Sequence, residues 1–148
     1  MAFRFPLETV LRLRQNLERQ QELLLYKANQ EVLGLKRQIE ELDAGMAANA
    51  QRRCLQLQAG VSVAELQFDL LCDETLLRFR GALQARLAKA ESARDSQAEA
   101  FRHARRRREA IETLRTHQLQ LYRQHAARQD QRRADDLFLL RRTYLERS

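Results

Sequence analysis

Only one place in this chain tells a helix both to stop and to restart. It is Gly60-Val61-Ser62-Val63-Ala64-Glu65. Glycine can end a helix in the left-handed conformation. Ser62 and Glu65 are spaced as a capping box, in which the Ser side chain takes an orphan N–H and the Glu returns to the Ser N–H. Val61 and Leu66 stand at the positions of a hydrophobic staple. Elsewhere helix breakers are nearly absent: the single proline is Pro6, and the other glycines are Gly34, Gly45 and Gly81. A chain with one break folds into two long helices, each the main surface against which the other can bury its apolar stripe.

Composition agrees. The 148 residues are 32% charged and 6% aromatic with no Trp, and are rich in Ala, Leu, Glu, Gln and Arg. That is the make-up of long helices and coiled coil rather than of a thick globular core. Phe5-Pro6 opens the first helix, where a missing N–H is harmless. Apolar positions then run Leu7, Val10, Leu17, Leu24, Ala28, Val32, Leu35, Ile39, Leu42 and Met46. From Ala28 the spacing alternates four and three, the a/d seam of a coiled coil. Two successive fours at Leu24–Ala28–Val32 read as a stutter. The second helix carries Leu76, Phe79, Leu83, Leu87, Ala90, Phe101, Ala104, Ile111, Leu114, Leu121 and Leu137 at helical spacing.

The expected fold is all-α: a long antiparallel two-helix coiled coil with a short helical tip, forming one elongated domain over 1–148. Helix one covers about 6–57, the turn and tip about 58–88, and the long C-terminal helix about 82–146. A plain hairpin would set Leu7 against residue 113 and the apolar Val10–Leu24 against "RDSQAEAFRHARRRRE". Pairing the chain ends instead brings Leu7 near Phe138, Leu24 near Leu121 and Leu42 near Phe101, matching apolar with apolar. That register is the expectation, and it makes 58–88 a segment that folds back or protrudes.

The formal net charge of +7 is uneven. Residues 1–56 carry +2, 57–100 carry −2 and 101–148 carry +7. A basic block favours an acidic partner, whether protein, nucleic acid or anionic lipid, although many such arginines simply form a solvated face. Cys54 and Cys72 lack any CxxC or Cys/His spacing and read as free thiols in a reducing compartment. No metal or cofactor is expected. No apolar run approaches the roughly 18–20 residues of a membrane span, and no basic start precedes an apolar leader, so a soluble cytoplasmic protein is expected. His103, His117 and His125 read as surface histidines. No phosphate loop, HExxH, GxSxG or Cys/His nucleophile pair occurs, so the expectation is a protein that is not an enzyme.

Both ends of the chain resemble one family. "FRFPLETVLRLRQNLERQQ" resembles the start of flagellar export proteins of the FliJ family. "IETLRTHQLQLYRQHAARQDQRRADDLFLLRR" is similar to their C-terminal signature, here Leu114, Tyr122-Arg123, Gln129–Arg133 and Asp135-Asp136. Asp136 departs mildly from the usual Glu, and residues 66–100 match loosely. The resemblance implies a cytoplasmic stalk and escort component of the flagellar type III export apparatus, peripherally associated with the inner membrane. Such a protein enters the export ATPase hexamer, promotes its assembly and activity, and links it to the cytoplasmic domain of the export gate and to export chaperones. In this sequence Arg102, Arg105, Arg108, Arg115 and Arg123 would meet acidic loops of the ATPase ring. Leu42, Phe68, Leu71, Leu76 and Phe79 would contribute to the gate surface. Two alternatives stand beside this reading: the stalk of an injectisome secretion ATPase, and a basic coiled-coil nucleic-acid-binding or regulatory protein. The second lacks the long basic helix running into a clean leucine heptad that a basic zipper needs.

Overall fold

The computed structural model describes residues 3–146. Two helices account for nearly all of them: α1, Glu8–Ala59, of 52 residues, and α2, Val63–Glu146, of 84. A turn at Pro6-Leu7 leads into α1, with Glu8 N donating to Phe5 O at 3.3 Å and Leu11 N to Leu7 O at 2.9 Å. The helices join through Gly60–Ser62, where Gly60 has φ of 91°. The capping box is formed as its sequence requires. Ser62 N donates to Glu65 Oε2 at 3.1 Å, and Glu65 N donates to Ser62 Oγ at 3.3 Å. Val61 and Leu66 are both half-buried.

The antiparallel coiled coil is present, in the plain hairpin register. Lys36 pairs with Glu91, Asp43 with Arg80, and Arg53 with Asp73. Glu8 pairs with Arg115 and Glu18 with Arg108. The end-to-end register expected above is therefore overturned: the level of Leu7 is that of Arg115, not Phe138. Nor do residues 58–88 form a separate tip. They are the loop and the first turns of one uninterrupted helix, paired with the last turns of α1. The cause is steric. A three-residue loop between two continuous helices holds Ala59 beside Val63, and each later pair follows from that.

Contacts cluster into two units. One is Arg19–Arg102; the other joins the residues through Glu18 with those from His103. In the first unit the core is Val32, Leu35, Leu83 and Ala90, with Ile39, Leu42 and Leu87 packed on it. Ile and Leu at a and d supply the knobs. Toward the loop the seam turns polar. Arg80 forks onto Asp43, with Nε to Oδ1 at 2.5 Å and Nη2 to Oδ2 at 3.0 Å. Arg53 Nη1 meets Asp73 at 2.5 Å, while its Nε lies 3.7 Å from Asp69, an ionic contact too long for a hydrogen bond. Farther from the loop, Gln97 Nε2 donates to Gln21 Oε1 at 2.5 Å.

In the second unit Phe5 and Leu11 are buried. Phe3 and Tyr122 rings sit 5.6 Å apart at a tilted 52°. Arg108 forks onto Glu18, Nε to Oε2 at 2.6 Å and Nη2 to Oε1 at 3.2 Å, and also reaches Glu112. Beyond Tyr122 no described residue of α1 stands opposite α2. Leu137, Phe138, Leu139, Leu140, Tyr144 and Leu145 there are all more than half exposed.

Burial corrects the seam as well as the register. In α1 the residues turned inward are Leu11, Arg14, Glu18, Gln21, Leu25 and Ala28, continuing in threes and fours to Arg53. The heptad has no stutter. Val10, Leu17 and Leu24, seven apart, sit one position before seam residues and form a second stripe along its edge. Leu24 is 46% exposed. Glu18 and Gln21 find partners, Arg108 and Gln97, in the polar run of α2, whereas Arg14 Nε is buried without a hydrogen-bond partner.

Candidate interaction surfaces

With a on the seam residue Arg53 and d on Asn49, Lys36 and Glu91 both fall at e. Their 3.3 Å ion pair therefore marks one edge of the hairpin as the shared e edge. The opposite edge carries the g positions, as in any antiparallel pair. This frame places every candidate side chain.

Four of the five arginines expected to meet an acidic partner already hold carboxylates of this chain. Arg102 pairs with Glu99, Arg105 with Glu109 at 2.9 Å, and Arg115 with Glu8 at 3.2 Å. Arg108 is a seam residue, its side chain 20% exposed, and its hydrogen bond to Glu18 pushes its pKa further up. Only Arg123 is exposed and without a carboxylate partner among the described residues. Within residues 101–146 the arginines without a carboxylate partner among the described residues are Arg106, Arg107, Arg123, Arg128, Arg132 and Arg141. Sequence could have found this. Arg105 and Arg108 have Glu109 and Glu112 four residues on, the favourable helical spacing, whereas Arg106 and Arg107 have Ala110 and Ile111.

The apolar candidates divide similarly. Leu42 and Leu76 are half-buried in the seam, and Leu42 packs on the core, so both hold the helices together. Phe68, Leu71 and Phe79 are more than half exposed on the outer and g sides of α2. Phe68 also borders a shallow open cavity of about 550 Å³ at the turn, lined with Ala59, Gly60, Val61, Ala64 and Glu65. A second g-edge stripe lies in the other unit: Val10 faces the level of Leu114, followed by Leu17 and Leu121.

Among the described residues no group of three His, Cys, Asp or Glu is placed to hold a metal ion. His103, His117 and His125 are exposed, as are Cys54 and Cys72. Among the described residues no helix is long and apolar enough to cross a membrane.

Such a molecule is a helical hairpin whose distinguishing chemistry is a basic, partly apolar stretch of α2 past Tyr122, and apolar positions beside a polar seam. The family model of the flagellar FliJ protein matches residues 3–146, and the chain belongs to that family. Its work is thus connected with flagellar protein export. No curated relative and no solved structure matches the chain.

Proposed function

We propose that this protein is a non-enzymatic stalk and escort component of the flagellar export apparatus. It binds the export ATPase hexamer, promotes ring assembly and turnover, and connects the ring to the export gate and to export chaperones. It acts in the cytoplasm at the inner-membrane apparatus. The observation that carries this reading is the part of α2 past Tyr122, unaccompanied by α1 and bearing Arg123, Arg128, Arg132 and Arg141 beside Leu137–Leu140. A single helix can enter a ring's central opening where a broader bundle cannot. Its cations suit acidic loops lining such an opening. The gate surface is narrowed to Phe68, Leu71 and Phe79, because Leu42 and Leu76 are engaged in the seam.

Co-purification with the flagellar export ATPase tests the reading. Added protein is expected to raise hexamer formation and ATP turnover, and a chain ending at Gln124 is expected to lose both effects. Full activity with the shortened chain would refute the role given to this segment.

A further inference from the structure

The e edge near the loop carries an apolar surface that neither the seam nor the gate reading uses. On α2, Val63, Leu70 and Leu77 recur every seven residues and are 71%, 63% and 56% exposed. On α1, Ala47, Ala50, Cys54 and Leu57 follow at spacings of three, four and three, all exposed. Each helix therefore has a second heptad stripe beside its seam. One stripe serves one neighbour; two adjacent stripes serve a helix with two neighbours.

The two stripes differ in size. Lys36 stands level with Glu91, Asp43 with Arg80, and Arg53 with Asp73. By that ladder Ala47 is level with Leu77, and Cys54 with Leu70. Small side chains on α1 thus lie beside large ones on α2. A surface of that kind is complementary to itself. We infer that the e edge joins two copies of this chain into a four-helix bundle about a two-fold axis parallel to the helices.

Rotation about that axis lays α1 of each copy over α2 of the other, antiparallel, with both loops at one end. Leu77 then packs over Ala47 of the second copy, and Leu70 over Ala50 and Cys54. Large side chains fill the space that small ones leave, which the close packing of bundle interiors requires. Farther from the loop, Lys36 of each copy lies over Glu91 of the other, so opposite charges meet twice where the apolar surface ends. The contact is isologous and therefore closes at two copies. It extends the α1–α2 seam sideways and leaves Phe68, Leu71 and Phe79 free on the other side.

Sedimentation equilibrium on the full chain over a concentration series tests this. The wild type is expected to approach twice its 17.4 kDa. Leu70→Asp with Leu77→Asp is expected to give monomer with unchanged helix content, because both side chains are exposed. Phe68→Asp with Phe79→Asp is expected to remain dimeric. As a second measurement, Leu70→Cys in a Cys72→Ser background is expected to crosslink to Cys54 of another copy and run at double mass on a non-reducing gel. A wild type that stays monomeric throughout overturns the inference. So does a dimer that survives the Leu70/Leu77 changes, or a Leu70→Cys chain that forms no double-mass band.

Discussion

Glu18 and Arg108 offer the sharpest test of the hairpin register. Both occupy seam positions, with side chains only 17% and 20% exposed, and they meet through two hydrogen bonds of 2.6 and 3.2 Å. Removing one partner of a fully buried pair costs about 3–5 kcal/mol, because the survivor is left charged and dry. Fully exposed pairs are worth about 0.2–1 kcal/mol. The partial exposure here places the coupling between those limits, at about 1–2 kcal/mol. Glu18→Ala, Arg108→Ala and the double variant would be unfolded in urea and followed by circular dichroism. The double variant is expected to lose less than the sum of the singles by that coupling. Arg108→Ala should be the costlier single change, since it also abandons Glu112. If the chain ends were paired instead, residue 18 would lie near residue 127, and the two changes would add to within about 0.5 kcal/mol. Additivity would therefore refute the register and every surface assignment built on it.

Leu35→Ala, at a core position only 4% exposed, is expected to cost about 2–3 kcal/mol, the low end for buried leucines because a two-helix layer can partly collapse. Leu24→Asp, on the g edge, is expected to shift the melting curve little, and a large loss there would return Leu24 to the seam. Hydrogen bonds from Arg80 and Arg53 hold Asp43 and Asp73 below the usual carboxylate range, against an opposing desolvation effect. A depressed folded pKa contributes stability above the unfolded value of about 3.9 and loses it as pH falls through the folded value, so the melting temperature should drop only below about pH 4. Asp43→Asn should lower the neutral-pH value and flatten that acid limb. Arg106→Glu with Arg107→Glu is expected to weaken ATPase capture without loss of helix content, whereas Arg105→Glu with Arg108→Glu also breaks the seam and should lower the melting temperature. Equal melting temperatures for the two double variants would contradict the placement of Arg108.

What could be read from sequence was what is local. The capping box, the glycine stop and the heptad from Ala28 to Met46 depend on residues a few places apart, and all three formed as expected. The seam before Ala28 is not legible in the sequence, for a physical reason. Val10, Leu17 and Leu24 keep perfect seven-residue spacing and are more apolar than Arg14, Glu18 and Gln21. Hydropathy therefore selects the edge over the seam. Arg108 lies in the seam beside its carboxylate, but Glu18 and Arg108 are 90 residues apart in the chain. Without the register, nothing marks either as buried. The same blindness spread Arg102, Arg105, Arg108 and Arg115 across a supposed contact face, although their acids lay within the chain.

The exchange of polar and apolar residues between seam and edge identifies what kind of hairpin this is. A hairpin selected only for stability would place its leucines in the seam and its charges on the edges, since apolar a and d residues hold helices together best. Here Arg14, Glu18, Gln21, Arg53, Arg80 and Arg108 occupy seam positions while Val10, Leu17, Leu24, Leu70 and Leu77 stand beside them. Polar seam residues fix register at a cost in stability. Apolar edge residues contribute nothing until another helix covers them. Both departures make sense together in a protein that must hold one alignment and present its apolar surface outward. The hairpin alone is then marginal by construction, and covering its edges should add the stability that its seam gives up. Thermal melts of the wild type and of Leu70→Asp/Leu77→Asp at several protein concentrations decide the point. The wild-type melting temperature should rise with concentration and the variant's should not, because only a species whose edges are covered on association gains by mass action.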